Sequence, residues 1–307
     1  MKWRKLGIVW TATGHHPLAV SHGMGPTPIL WNAGTIRVFL TCLDATGRGR
    51  PFFVDVAADD PRVVLEVSPA PLLDVGKPGT FDDNGLMPLS VVRLEGGRVL
   101  LYYAGFELCR SIRYRIFTGV AVSEDGGLTF RRHSDVPVLD RREDEIYFRG
   151  GPFVLQDRGR FRMWYVGGDG WTDVGGKAMP VYDIRYIESV DGLRWDGGGR
   201  VCLAVEDPTE HGFGRPWVRR RSNGDYELYI SVRRRDLGAY RLGFARSRDG
   251  LSWTRADREM GLDVSPGEFD GSAIMYSAVV TSGDRTFCFY NGDDFGREGF
   301  AVAELEQ

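Results

Sequence analysis

Apolar and polar residues alternate in short runs along most of this chain, and no segment sustains the 3.6-residue period of an amphipathic helix. The runs are rich in aromatic and β-branched residues and are bounded by Gly and Asp, so they read as strands. They also recur in a fixed order. A proline leads an apolar run in GPTPILW (Pro26), in FDDNGLMPLSVV (Pro88), in GPFVLQ (Pro152) and in RPWVRR (Pro216), and Tyr276 in MYSAVV takes the fifth place. Copies about sixty residues apart signify an array of like units.

Each unit predicts three strands before a turn. The first spans Thr27 to Trp31, Leu89 to Leu94, Phe153 to Gln156, Trp217 to Arg220 and Ser277 to Thr281. The second is aromatic, as in VLLYYAG from Val99 and RMWYVGG from Arg162, and the third is PFFVDV, GVAVS, IRYIES, GFARS or GFAVAE. Three third strands run into SEDGGLTF from Ser123, SVDGLRW from Ser189 and SRDGLSW from Ser247, where Asp-Gly makes a tight turn and an aromatic residue opens a fourth strand. The last copy stops at Gln307 without that fourth strand, and Trp3 in MKWRKLGIVW is placed like Trp195 and Trp253. The pattern therefore predicts an all-β, single-domain five-bladed β-propeller, with the N-terminal strand closing the last blade. The blades fall at about 22–80, 81–145, 146–209, 210–267 and 268–307 plus 1–10.

Composition narrows the partners. Net charge is -3 with 26% charged residues, which gives no positive field for nucleic acid or an anionic membrane. The cations are almost all Arg, a coding bias that points to a bacterial source. Cys42, Cys109, Cys202 and Cys288 form no CxxC pair and read as buried hydrophobes in a reducing compartment. The N-terminal run is too brief for a signal peptide, and no segment approaches a membrane helix, so a cytoplasmic protein is expected.

In such a ring the loops entering the innermost strands converge at one channel mouth. Six residues before each proline or Tyr276 stand Val20, Asp82, Ile146, Glu210 and Asp270. Three carboxylates at one mouth suit acid/base chemistry, because crowding separates their pKa values. The plainer reading is that acids before turns cap backbone N–H groups. His22, Tyr147, Arg149 and Arg215 lie near the same ring, where an Arg suits a substrate carboxylate, phosphate or hydroxyl. Asp44, Glu107 and Trp171 end second strands or follow them, and Trp171 suits sugar stacking. The runs Arg219 to Arg221 and Arg233 to Arg235 flank one hairpin; they read as a solvated patch or as contacts to an anionic substrate. No spacing argues for a metal or a cofactor.

GPTPILW, LLDVGKPGTFDDNGLMP, LYYAGFE, AVSEDGGLTF, LGFARSRDGLSW, GLDVS and FYNGDDFGREGFAVAELE together resemble a bacterial family of glycosidase-like five-bladed propellers, related in fold to glycoside hydrolase families 32, 43 and 68. The resemblance covers nearly the whole chain. It implies a glycosidase-like hydrolase or transglycosidase acting on an oligosaccharide or a sugar-derived metabolite. By that resemblance Glu210 would be proton donor, Asp82 (or Asp83) base or nucleophile, and Asp270 the modulator. Leu43 before Asp44 and Arg149 depart from the expected pattern and imply an altered pocket. A biosynthetic lyase or cyclase and a non-catalytic carbohydrate-binding propeller are the alternatives.

Overall fold

The computed structural model describes residues 1–306. In chain order the strands begin with β1 (Trp3–Trp10), followed by β2 (Ser21–Asn32), β3 (Thr35–Leu43), β4 (Gly49–Ala57) and β5 (Val64–Val67). Next come β6 (Leu86–Arg93), β7 (Val99–Leu108), β8 (Tyr114–Ser123) and β9 (Arg131–Arg132), then β10 (Phe148–Asp157), β11 (Arg160–Val174), β12 (Lys177–Ser189) and β13 (Arg200–Leu203). The chain continues through β14 (Glu210–Arg220), β15 (Tyr226–Arg234), β16 (Ala239–Ser247) and β17 (Thr254–Arg255), and finishes with β18 (Met275–Ser282), β19 (Arg285–Asn291) and β20 (Phe300–Leu305). Helix among the described residues is limited to single turns at Glu95–Gly97, Asp257–Glu259 and Asp293–Gly296.

The first sheet runs β2-β3-β4-β5, and the last runs β1-β20-β19-β18. Between them lies one twelve-stranded sheet built from three antiparallel stretches, which meet only through short parallel pairings of β8 with β10 and of β12 with β14. Every stretch is a meander of neighbouring strands, so its register is local. The exception is β1, which pairs antiparallel with β20 from the other end of the chain, Trp3 opposite Leu305. Trp3 also donates its indole N–H to the Met260 carbonyl at 2.8 Å and is buried in the largest apolar cluster. The expected N-terminal partner strand is thus in place.

The DG turns are held as their residue types suggest. Ser123, Ser189 and Ser247 each place Oγ on a following backbone N–H and on the carboxylate two residues later, and that carboxylate accepts the next N–H groups. Aromatic side chains fill the space between neighbouring stretches, as where Phe153 of β10 and Trp217 of β14 lie 4.8 Å apart between centroids. Hydroxyls then tie one inner strand to the next at the repeat distance: Thr27 Oγ1 donates to the Pro88 carbonyl at 3.0 Å, and Ser90 Oγ accepts from Val154 N at 2.9 Å.

The inner strands β2, β10 and β14 begin several residues before their prolines, where the pattern predicts them to begin after. The cause is a β-bulge that swallows the proline. Gly150 and Phe153, Gly214 and Trp217, and Met275 and Ala278 bracket two unpaired residues each, as do Met24 and Thr27. The first bulged residue has a positive φ: Gly25 (62°), Gly151 (62°), Arg215 (42°) and Tyr276 (58°). This alignment makes Ser277, not Tyr276, the equivalent of the prolines. Counts back from the fifth copy are therefore displaced by one residue.

Candidate functional site

Where the inner strands start, their bulges surround a cavity of about 250 Å³. Met24 comes from β2, Met87 and Leu89 from β6, Gly151 from β10, Gly214 and Arg215 from β14, and Tyr276 from β18. Second and third strands add Tyr114, Tyr182, Arg233 and Tyr240. The lining carries aromatic rings and arginines and no carboxylate. Burial pushes the hydroxyls of Tyr182, Tyr240 and Tyr276 well up, so all three stay neutral phenols near pH 7.

Two buried arginines in the lining differ in what they touch. Arg215 forms the floor: it donates to the Tyr276 carbonyl, to the Pro26 carbonyl at 2.6 Å and to Thr27 Oγ1 at 2.8 Å, joining β14 to β18 and β2. Burial without a counter-charge brings its pKa down to about 9. Arg233 donates Nε to Tyr182 Oη at 2.6 Å and lies 4.7 Å from the Tyr240 ring centroid.

Asp82, Glu210 and Asp270 lie outside this lining, Glu210 at the first position of β14 and the other two on the loops that lead into β6 and β18. Asp82 is fully buried and accepts from Arg132 Nε at 2.8 Å, Tyr103 Oη at 3.0 Å and Thr80 Oγ1 at 3.1 Å. Glu210 accepts both Nη groups of Arg255, at 2.6 and 2.9 Å, and Arg255 also reaches Asp257. Asp270 is fully buried and paired with Lys5; its Oδ1 has no partner among the described residues. The cation in each case sits on the outermost strand of the same stretch: β9, β17 and β1.

A fourth acid of this kind escaped the count. Glu145 is buried against Arg149 at 2.9 Å and Arg185 at 3.5 Å, and it accepts from Tyr165 Oη at 2.7 Å. Burial raises its pKa despite those partners. It stands seven residues before Pro152, as Asp270 stands seven before Ser277, whereas Asp82 and Glu210 stand six before their prolines, so a fixed count of six falls on Ile146. The cations had a sequence signal. Each is the second residue after the aromatic that opens the outermost strand: Phe130 and Arg132, Trp253 and Arg255, Trp3 and Lys5. After Trp195 that place is Gly197, and there Arg149 of β10 fills in, donating to the Gly197 carbonyl at 3.0 Å.

The remaining expected residues scatter. Asp44 is held by Arg50 at 2.6 Å and by Thr46 and Arg48; burial would raise its pKa, but these hydrogen bonds outweigh it and bring it to about 2. Asp83 accepts from Gly79 N at 2.8 Å, and Glu107 faces Arg115 at 3.4 Å. His22 contacts Ser21 Oγ at 2.8 Å, and burial followed by Arg297 lowers its pKa. Tyr147 and Trp171 pack on Phe148 at 6.1 and 5.3 Å, beside Tyr114 of the cavity. Of the candidates expected at the channel mouth only Arg215 lines the cavity, where it is joined by Arg233 from the second arginine run. The hairpin arginines split as strand alternation demands: Arg233 points inward, Arg234 pairs with Asp236 at 2.7 Å, and Arg235 binds Thr172 Oγ1 at 3.0 Å. No group of His, Cys, Asp and Glu among the described residues is arranged to hold a metal ion, and no helix is long and apolar enough to cross a membrane.

Similar folds occur among glycoside hydrolases. The solved structure of one glycoside hydrolase superposes with a TM-score of 0.74 at 17% identity, covering 99% of this protein and 92% of that one. A thermostable family-43 glycoside hydrolase gives 0.68 at 16% identity over 94% and 90%, and the GH43_1 enzyme from Xanthomonas citri complexed with xylose gives 0.66 at 15% over 99% and 90%. The fold is therefore the β-propeller type of family-43 glycoside hydrolases. No family model matches the sequence. Uncharacterized protein Rv1502 and Uncharacterized protein MT1551, from two strains of Mycobacterium tuberculosis, are each 35% identical over 309 residues, covering 100% of this chain and of each relative. With that identity running end to end, the chain belongs to the same family as these two mycobacterial proteins.

Proposed function

We propose that the chain is a single-domain, five-bladed propeller of glycosidase type whose central pocket binds a sugar or a sugar-derived small molecule. The observation that carries this reading is the cavity itself, walled by the bulged starts of all the inner strands and faced with tyrosines. Rings of this kind stack on sugar faces while their hydroxyls donate hydrogen bonds. The similar Xanthomonas citri enzyme holds xylose, which agrees in ligand class.

Acid/base cleavage needs a carboxyl group within about 2.6–3.2 Å of the proton it moves. Asp82, Glu210 and Asp270 are each committed to a cation and lie outside the cavity lining. We therefore assign them as clamps that pin the entry loop of each blade to its outermost strand, and place sugar binding or a non-hydrolytic step ahead of glycosidic cleavage by these acids. The test is a panel of aryl glycosides and free sugars offered to wild type, Asp82→Asn and Glu210→Gln. Sugar binding without aryl release, together with lowered melting temperatures in both variants, is expected. Aryl release by wild type that disappears in Glu210→Gln at an unchanged melting temperature would instead make Glu210 a proton donor.

A further inference from the structure

Among the described residues every buried Asp, Glu and Arg has an ion-pair partner except Arg215 and Arg233, both in the pocket lining. Arg233 is 8% exposed, and its Nε is bound to Tyr182 Oη. Its two terminal nitrogens have no hydrogen-bond partner, and no carboxylate lies within ion-pair distance, among the described residues. The neighbouring Arg234 has its acid at 2.7 Å, and the buried Arg37 donates Nε and Nη2 to the two oxygens of Asp55 at 2.8 and 2.7 Å. A guanidinium taken out of water without a counter-ion is costly. The groups around Arg233 do not supply one: Tyr182, Tyr240 and Tyr276 are neutral phenols, and His211 nearby is a further cationic centre when protonated. Arg215 and Arg113, also in the lining, add further positive charge, Arg113 at the rim against the Tyr114 ring.

We propose that the pocket recognises its ligand by a negatively charged group seated on Arg233, so that the ligand is an anionic sugar, a uronate or a sugar phosphate. This rests on the sugar-binding reading above and narrows it. The geometry favours an oxyanion because the two free nitrogens form a planar fork, which a carboxylate or phosphate meets with two parallel hydrogen bonds. Tyr182 holds the fork in orientation, and Tyr240 covers one face of it. The cavity of about 250 Å³ lies below the ~300–1,000 Å³ of drug-sized sites, which suits one sugar ring.

Calorimetric titration of the full chain with D-glucuronate, glucose 6-phosphate, glucose and sodium sulfate tests this. Glucuronate or glucose 6-phosphate should bind at least tenfold more tightly than glucose, and the tighter of the two identifies the oxyanion. Arg233→Met should weaken the acidic ligand by about 10- to 100-fold, the worth of a charge-assisted pair, with Arg233→Lys intermediate. Sulfate should displace the acidic sugar from wild type, a readout that needs no variant to fold. If glucose binds as tightly as the acids and Arg233→Met changes nothing, the anion inference falls and the sugar reading survives. If sulfate binds through Arg233 and no sugar does, the anion site stands and the sugar reading falls. Absence of binding by sulfate and by both acids overturns the inference.

Discussion

The clamps outside the cavity lining and the arginine in the pocket are both buried charges, and they were built to opposite ends. Asp82, Glu145, Glu210 and Asp270 each meet a cation and, at Asp82 and Glu145, a tyrosine hydroxyl as well. Among the described residues Arg233 meets a tyrosine and nothing negative. A buried ion pair that is fully met ties distant backbone segments together, and losing one member leaves the other stranded. A buried charge left open costs stability in the free protein and is compensated when a ligand brings the opposite charge. The contrast separates what holds the ring from what the ring presents.

The severest way to break the contrast is to remove β1. Deleting residues 1–10 takes away the partner of β20, the Trp3 anchor and the Lys5 clamp at once. The truncated chain should fail to give a cooperative thermal transition; one melting like the intact chain would sink the closure of the last stretch by β1. Next comes the buried carboxylate Asp82 with its partly exposed cation Arg132. Asp82→Asn or Arg132→Met should each cost about 3–5 kcal/mol in urea unfolding, and the double variant clearly less than their sum. Additive losses would mean that the pair is not a clamp. Lys5→Met should cost less, about 1–3 kcal/mol, because Lys5 is a quarter exposed, although Asp270 loses its one cation among the described residues.

The smallest effect concerns pH. Burial first, and then Arg233 and Arg235, lower the pKa of His211, while burial and Arg297 lower that of His22. The unfolded chain then binds protons at these sites, near pH 6.5, that the folded chain refuses, so stability should be full above that pH and decline as pH falls below it. Chemical denaturation at pH 7.5 and 5.5 should show this decline, and His211→Gln should reduce it. An anionic sugar in the pocket should reduce it too, by offsetting the charge of Arg233. A decline untouched by either change would separate His211 from the pocket.

Much of the ring was legible from residues alone because its signals are local and repeated. Proline-led strands, DG turns and the Trp that opens an outermost strand recur, so even the displaced copy at the N-terminus is recognisable from Trp3. The site was not legible in the same way. The offset count reached Asp82, Glu210 and Asp270 but took them as channel groups, whereas their cations lie 50, 45 and 265 residues away on outermost strands. Glu145 stands one residue farther from its proline than Asp82 and Glu210 do from theirs, so a fixed offset passes over it.

Period, order of strands and turn chemistry were thus determined by the sequence itself, since each depends on residues within a few positions of one another. Which charges meet and which stay open was decided only by the tertiary structure. Arg233 and Arg234 are adjacent and identical in type, yet alternation across β15 sends one into the cavity and the other to Asp236. Whether an inward charge finds a partner depends on what the other strands bring to the same spot, and that is set by closure of the whole ring.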